Sequence, residues 1–205
     1  MKTLGYEDGF KFKILPERLN MPSTVKKPTK FFVNSMSDLF HEKMPYSFLD
    51  EVFEVIRSTP HHKYQILTKR AGILSDYFKE RQVPENVWLG VTVESSENKF
   101  RIDLLRNIEA KIRFLSIEPL VADLGKIDLR NIHWAIVGGE SGNRARPMKE
   151  EWALNIKQQC EEQNIAFFFK QWGTWGADGI KRSKKLNGSI LQGRHWKEEP
   201  EMIKI

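Results

Sequence analysis

Val87–Val93 reads VWLGVTV, seven residues without a charge, and this stretch decides the fold class. A strand with one wet face alternates apolar and polar residues, whereas a strand covered on both faces reads as a continuous apolar run. Five other segments carry the same signature: Lys30–Asn34 (KFFVN), Tyr64–Thr68 (YQILT), Ile112–Ile117 (IRFLSI), His133–Val137 (HWAIV) and Ala166–Lys170 (AFFFK). Between them lie stretches with the 3.6-residue apolar period of helices. Phe48, Leu49, Val52, Phe53 and Ile56 form one stripe, Ile73, Leu74, Tyr77 and Phe78 a second, Phe100, Leu104, Leu105 and Ile108 a third, and Trp152, Ile156 and Cys160 a fourth. Strands alternating with amphipathic helices predict an α/β chain with a parallel sheet.

No Gly-rich phosphate fingerprint follows the first strand, which argues against a Rossmann domain. A complete eight-unit barrel takes about 250 residues, so 205 residues suit a partial (β/α) barrel of TIM type. The expected organisation is a lead-in over residues 1–29, the partial barrel over 30–173, and a hairpin and tail over 174–205. Asn187-Gly188 is the strongest two-residue turn signal in the chain, and it sets a small β-hairpin within Lys181–Trp196. Trp172, Trp175 and Trp196 are expected to pack across one mouth of the barrel. The stretch from Pro119 to Ile132 fits neither period.

Composition narrows the function. The one cysteine, Cys160, excludes an internal disulfide and any metal site built from several cysteines of this chain. Glu161 and Glu162 beside it oppose a thiolate, so Cys160 is not read as a nucleophile. No apolar run approaches the roughly 20 residues of a membrane-spanning helix. The first ten residues lack the apolar core of a secretory signal, so a cytoplasmic location is expected. The formal charge is +6, concentrated at the ends. Residues 1–30 hold seven Lys/Arg against three Asp/Glu and residues 170–205 hold eight against four, with eighteen against twenty between them. Basic ends are a candidate electrostatic footprint for nucleic acid.

In parallel α/β architectures ligands meet the carboxyl ends of the strands. That rule collects Ser35, Ser37 and Asp38 after the first strand, Lys69 and Arg70 after the second and Glu94 after the third. Glu118 follows the fourth strand, Gly138, Gly139, Glu140 and Ser141 the fifth, and Lys170 and Gln171 the sixth. Arg144 and Arg146 stand just beyond, suited to fork onto a carboxylate or phosphate. Acids gathered at one mouth need neutralising partners, which Lys69, Arg70, Lys170, a metal ion or a cationic ligand can supply. His61 and His62 precede the second strand and are read as surface residues.

FVNSMSDLFHE (Phe32–Glu42), QILTKR (Gln65–Arg70), NVWLGVTVE (Asn86–Glu94), RFLSIEPL (Arg113–Leu120), WAIVGGESG with ARPM (Trp134–Met148) and FFFKQWG (Phe167–Gly173) resemble a phage and prophage family of unassigned function. It is called the gp thirty-seven/gp sixty-eight family, and the resemblance runs from about Tyr6 to Trp196. It implies a radical-SAM-like partial barrel whose N-terminal three-cysteine motif holds a [4Fe-4S] cluster beside S-adenosylmethionine. Three thiolates leave one iron free for the cofactor. The cysteine segment and first strand of that pattern have no counterpart here. The expectation is therefore a truncated, split or internally initiated chain, with no cofactor of its own unless a second polypeptide supplies the thiolates, and with an exposed edge on Lys30–Asn34 that favours self-association.

By the same resemblance Ser35, Ser37 and Asp38 would meet the methionine amino group and Glu94 the ribose. Glu118 and Gly138–Ser141 would border adenine or substrate, Lys69 or Lys170 would balance a carboxylate, and Arg70, Gln171, Arg144 and Arg146 would face the substrate. Two alternatives stay open: a metal-dependent hydrolase using Asp38, Glu94, Glu118 and Glu140 around a hard cation, and a non-catalytic nucleic-acid-binding module using the basic ends and tryptophans.

Overall fold

The computed structural model describes residues 11–200. Its strands are β1 (Lys30–Val33), β2 (Lys63–Thr68), β3 (Val87–Thr92), β4 (Ile112–Ile117), β5 (Trp134–Gly138) and β6 (Ala166–Gln171), each within a residue of its sequence assignment at either end. They form one parallel sheet in chain order, β1-β2-β3-β4-β5-β6. A doubly wound sheet reverses its order at some point and so covers both faces with helices. Here the order never reverses, the helices stay on one side, and the sheet curls into a half-barrel with a bare concave face.

The helical side is the main core. Alternate strand residues, Tyr64 and Ile66, Leu89 and Val91, Leu115 and Ile117, Ala135 and Val137, Phe167 and Phe169, pack against α2 (Tyr46–Ser58), α3 (Ala71–Phe78), α4 (Phe100–Arg106) and α5 (Glu150–Glu162). The other parity faces inward. Trp88, Ile112, Phe114 and Trp134 form a second cluster, joined by Leu67, Ile136, Ala166 and Phe168. Both faces of the middle strands are therefore apolar, which is why VWLGVTV shows no alternation; all six residues of β3 are buried.

The unassigned connection from β4 to β5 replaces a helix with an irregular layer. Leu120, Leu124, Ile127, Leu129 and Ile132 are buried in it. Its backbone lacks a helical ladder, and buried amides must find partners elsewhere. Two glutamines of α5 supply them: Gln159 Oε1 accepts from Ile127 N at 2.7 Å while its Nε2 donates to Gly125 O at 2.9 Å, and Gln163 Oε1 accepts from Leu129 N at 2.9 Å.

The C-terminal segment belongs to the barrel. Phe169 N donates to Trp196 O, Glu198 N to Phe167 O, and Phe168 bridges Lys197 in antiparallel sense, so residues 196–198 cover the outer edge of β6. Trp134 Nε1 donates to Glu198 O at 2.8 Å, and Lys30 Nζ of β1 meets Glu199 Oε2 at 2.7 Å. Five strand spacings of about 4.8 Å would hold flat edges roughly 24 Å apart. The curl and the crossing tail together bring the two ends within a side chain's reach at the amino-end floor.

Several sequence expectations differ from the structure. Asn187-Gly188 is not the hairpin turn: it ends the short helix α6 (Lys184–Asn187), with Gly188 at φ 68°. The hairpin pairs β7 (Ile190–Leu191) with β8 (Arg194–His195) around Gln192-Gly193. Both dipeptides supply a residue that tolerates positive φ, and the Ser183 cap on Leu186 N commits the first to a helix end. His62 is fully buried, not a surface residue; its Nδ1 accepts from Thr29 N and its Nε2 meets Pro22 O, pinning the α1 segment (Met21–Thr24) to the start of β2. Among the described residues no helix is long and apolar enough to cross a membrane.

Candidate functional site

A cavity of about 380 Å³ opens on the concave face toward the carboxyl ends of the strands. Its walls come from β1 (Phe32), β2 (Gln65, Leu67), β4 (Phe114, Ser116), β5 (Trp134, Ile136) and β6 (Phe168, Lys170), with Glu118 at the lip. Strand register explains the layering. Gln65 lies level with Trp88 and Ile112, Leu67 with Gly90, Phe114 and Trp134, and Ser116 with Thr92 and Ile136. The two lower layers are apolar except for Gln65 on β2, and Ser116, Glu118 and Lys170 line the upper wall. Gly90 matters to this shape because the Phe114 ring leans across it, 2.4 Å from where a Cβ would stand.

Each acid collected from the strand ends has its own cation. Glu118 Oε2 meets Lys170 Nζ at 2.7 Å and its Oε1 accepts from Gln171 Nε2 at 2.9 Å. Glu94 is shared by Lys69 Nζ and by Arg101 Nη1, the latter at 3.0 Å. Burial pushes the Glu94 carboxyl up, and Lys69, the Glu94 backbone and Arg101 together pull it below the ordinary carboxylate range. Glu140 is gripped by Arg146 through Nε and Nη2, each at 2.9 Å, and by Arg146 N at 2.8 Å, which holds its pKa down to about 2.

Asp38 is a structural hub. Its carboxylate accepts from Phe40 N, Thr68 Oγ1, Lys69 N and Arg70 Nη1, which fills its roughly four acceptor sites. Arg70 also binds Glu42 at 2.7 Å, tying the loop after β1 to the end of β2. Ser35, Ser37, Ser141 and Arg144 are exposed around these strand-end loops; Ser141 Oγ accepts from Gln171 Nε2 at 3.3 Å.

Gly138 and Gly139 serve close packing between neighbouring strand ends. A Cβ on Gly138 would stand 3.1 Å from Glu118 Oε1, and one on Gly139 would stand 1.9 Å from the Trp172 carbonyl oxygen. The first lets a β4 carboxylate reach a β6 lysine across β5. The second lets the chain after β6 lie against β5.

Arg101 went unnoticed in the sequence because it belongs to α4, a position the strand-end rule does not sample. Its Nη1 donates to Thr92 O at 2.7 Å as well as to Glu94, and its Nε is buried without a partner among the described residues. Gln65 was overlooked as a single polar residue inside an apolar run, yet its inward parity places it on the cavity wall.

These pairings bear on the chemistry. Among the described residues no group of three or more His, Cys, Asp or Glu stands together as a metal cage. Asp38, Glu94, Glu118 and Glu140 are divided among separate ion pairs. Cys160 is buried under α5, and burial first, then Glu198 and Glu161, push its thiol up to about 12, the reverse of what a cluster ligand needs. The residues present do not fit an iron–sulfur cluster. The tryptophans expected at the mouth are engaged elsewhere: Trp172 Nε1 donates to Ile190 O, Trp175 Nε1 to Ala145 O and Trp196 Nε1 to Leu191 O.

No curated protein and no solved structure matches this chain. One family model, described as a protein of unknown function (DUF5131), matches residues 2–200. That span takes in all six strands of the half-barrel and the segment that covers β6, and the chain belongs to this family.

Proposed function

We propose that the mouth of the half-barrel binds S-adenosylmethionine, and that the chain is the barrel half of a radical-SAM-like system of phage type whose cluster thiolates come from a second polypeptide. The observation that carries this reading is an amphipathic cavity at the carboxyl ends of parallel strands with the Glu118–Lys170 pair at its lip, and with the Glu94–Lys69 pair at the end of β3. Lys170 and Lys69 are half exposed and suit the carboxylate of an amino-acid moiety. Glu118 and Glu94 suit its ammonium and the ribose hydroxyls, and Ser35, Ser37 and Ser141 lie on the surrounding loops. Asp38 positions Thr68 and Arg70 rather than touching ligand. Bound S-adenosylmethionine would supply a deoxyadenosyl radical once an external cluster delivers an electron; no step of that reaction is assigned to this chain's single cysteine.

Calorimetric titration of the purified chain with S-adenosylmethionine and S-adenosylhomocysteine tests the reading. Saturable binding is expected, weakened about tenfold or more by Glu118→Gln, the loss typical of one charge-assisted contact. The absence of saturable binding by either compound at millimolar concentration removes the proposal.

A further inference from the structure

The loop after β5 and the segment after β6 enclose a second cavity, of about 470 Å³, lined by Gly142, Asn143, Thr174, Lys181, Arg182 and Ser183. It shares no lining residue with the mouth of the half-barrel, and nothing in it depends on the S-adenosylmethionine reading. The protein's own bonds tie its walls together. Thr174 Oγ1 accepts from Gly142 N at 2.9 Å, Trp175 Nε1 donates to Ala145 O at 2.7 Å, and Lys181 Nζ donates to Asn143 O at 2.9 Å. The hollow is therefore preformed, and a ligand need not order it.

Its chemistry suits an anion. Lys181 Nζ uses one of its three donors on Asn143 and has no acidic partner among the described residues. Ser183 Oγ accepts from Leu186 N, which leaves its hydroxyl hydrogen to donate elsewhere. The Asn143 side chain is exposed and unbonded among the described residues. Arg182 is matched by Asp178. The surroundings are basic as well. Residues 141–149 carry Arg144, Arg146 and Lys149 and no acid, and residues 173–189 carry Lys181, Arg182, Lys184 and Lys185 against Asp178 alone. Arg144, Lys184 and Lys185 are exposed, with no side-chain partner among the described residues. Cations gathered in this way repel one another, and a bound polyanion relieves the repulsion.

Two features select the partner. No aromatic residue lines the cavity, and Trp175 beside it is half-buried, with Lys181 Nζ 5.3 Å from its ring centre. Unstacked bases therefore find no platform here, which favours a strand whose bases stay paired. Ile180, Leu186 and Ile190 are exposed nearby, but α6 has only four residues, a single turn, too short to lay an amphipathic face on a membrane.

We infer that this cavity and the cations beside it bind the phosphate backbone of a nucleic-acid duplex without reading its sequence. Lys181, Asn143 and Ser183 hold one phosphate, and Arg144, Lys184 and Lys185 face its neighbours.

Fluorescence anisotropy of the full chain with labelled DNA and RNA duplexes of mixed sequence tests this, and the tighter of the two names the source of the phosphates. Saturable binding is expected, with single strands of the same length weaker. Lys181→Gln with Lys184→Gln should weaken it about tenfold and lower the slope of log affinity against log salt by about one for each lysine removed. Ser183→Asp keeps a capping side chain and places a negative charge in the cavity; a melting temperature near the parent's and a loss of about tenfold or more are expected. Lys26→Gln with Lys27→Gln removes as much charge from the other basic end of the chain and should change affinity less than about twofold. Equal losses from the two lysine pairs overturn the inference, as do the absence of duplex binding at low salt and an affinity for single strands that matches the duplex. Inorganic phosphate binding as tightly as duplex, or phosphatidylserine vesicles capturing the chain more strongly than duplex does, overturns it as well.

Discussion

Lys170 on β6 and Glu118 after β4 meet across an intervening strand, 2.7 Å apart, because Gly138 on β5 has no side chain to separate them. The pair is the lip of the cavity. Lys170→Met strands a carboxylate whose side chain is only 17% exposed, leaving Gln171 as its remaining partner. The expected loss is about 1–2 kcal/mol in urea unfolding at neutral pH. Adding Glu118→Gln to Lys170→Met should recover part of it, and a double-mutant cycle reads the coupling. Additive losses would show that the two groups do not interact.

Gly90 is held by shape. Gly90→Ala puts a methyl carbon where the Phe114 ring lies, and overpacking of this kind costs about 1–3 kcal/mol. The midpoint of chemical denaturation should fall accordingly, with Phe114→Leu restoring part of it by vacating the space.

Acid should weaken the Glu140–Arg146 clamp in a defined window. The folded pKa of Glu140, about 2, lies below its ordinary 4.5, so the contribution is complete above 4.5 and is lost as pH falls from there toward 2. Arg146 is exposed and Glu140 partly so, which limits the pair to about 1 kcal/mol and makes it salt-sensitive. Comparing the parent with Glu140→Gln in urea melts at pH 7, 5 and 3 checks this: the difference should be nearly the same at pH 7 and 5 and be clearly smaller, though not gone, at pH 3.

Cys160 should behave as a reporter of unfolding. Its buried, high-pKa thiol is expected to resist disulfide-exchange reagents in the native protein and to react at once in denaturant. Fast labelling under native conditions would contradict the burial described for α5.

Removal of residues 196–205 should destabilise the half-barrel far from any ligand. The deletion strips the cover from β6, the carbonyl partner of Trp134 and the Lys30–Glu199 bridge. A lower melting temperature and concentration-dependent association on size exclusion are expected, since an uncovered strand edge recruits other chains.

The strands were legible because burial on both faces leaves an unbroken apolar run, as in VWLGVTV. The same property concealed which side chains face inward: in KYQILT, parity alone separates Gln65 and Leu67 from Tyr64 and Ile66, and parity acquires a direction only once the helices choose a side. Strand ends pointed to Glu94, Glu118 and Lys170 by a rule of architecture, while Arg101 approaches from a helix. The layer from Pro119 to Ile132 has no period to detect, because its backbone is satisfied by Gln159 and Gln163, which are about thirty residues away in sequence. Asn187-Gly188 and Gln192-Gly193 compete for one hairpin, and the choice depends on a capping hydroxyl several residues upstream.

The two borders of the sheet are unequal. Residues 196–198 occupy the border at β6, whereas among the described residues β1 pairs as a strand only with β2. Growth of the assembly is thereby given a polarity: an incoming strand can enlist only alongside Lys30–Val33, and there it would become the neighbour of Phe32 and raise the missing side of the bowl.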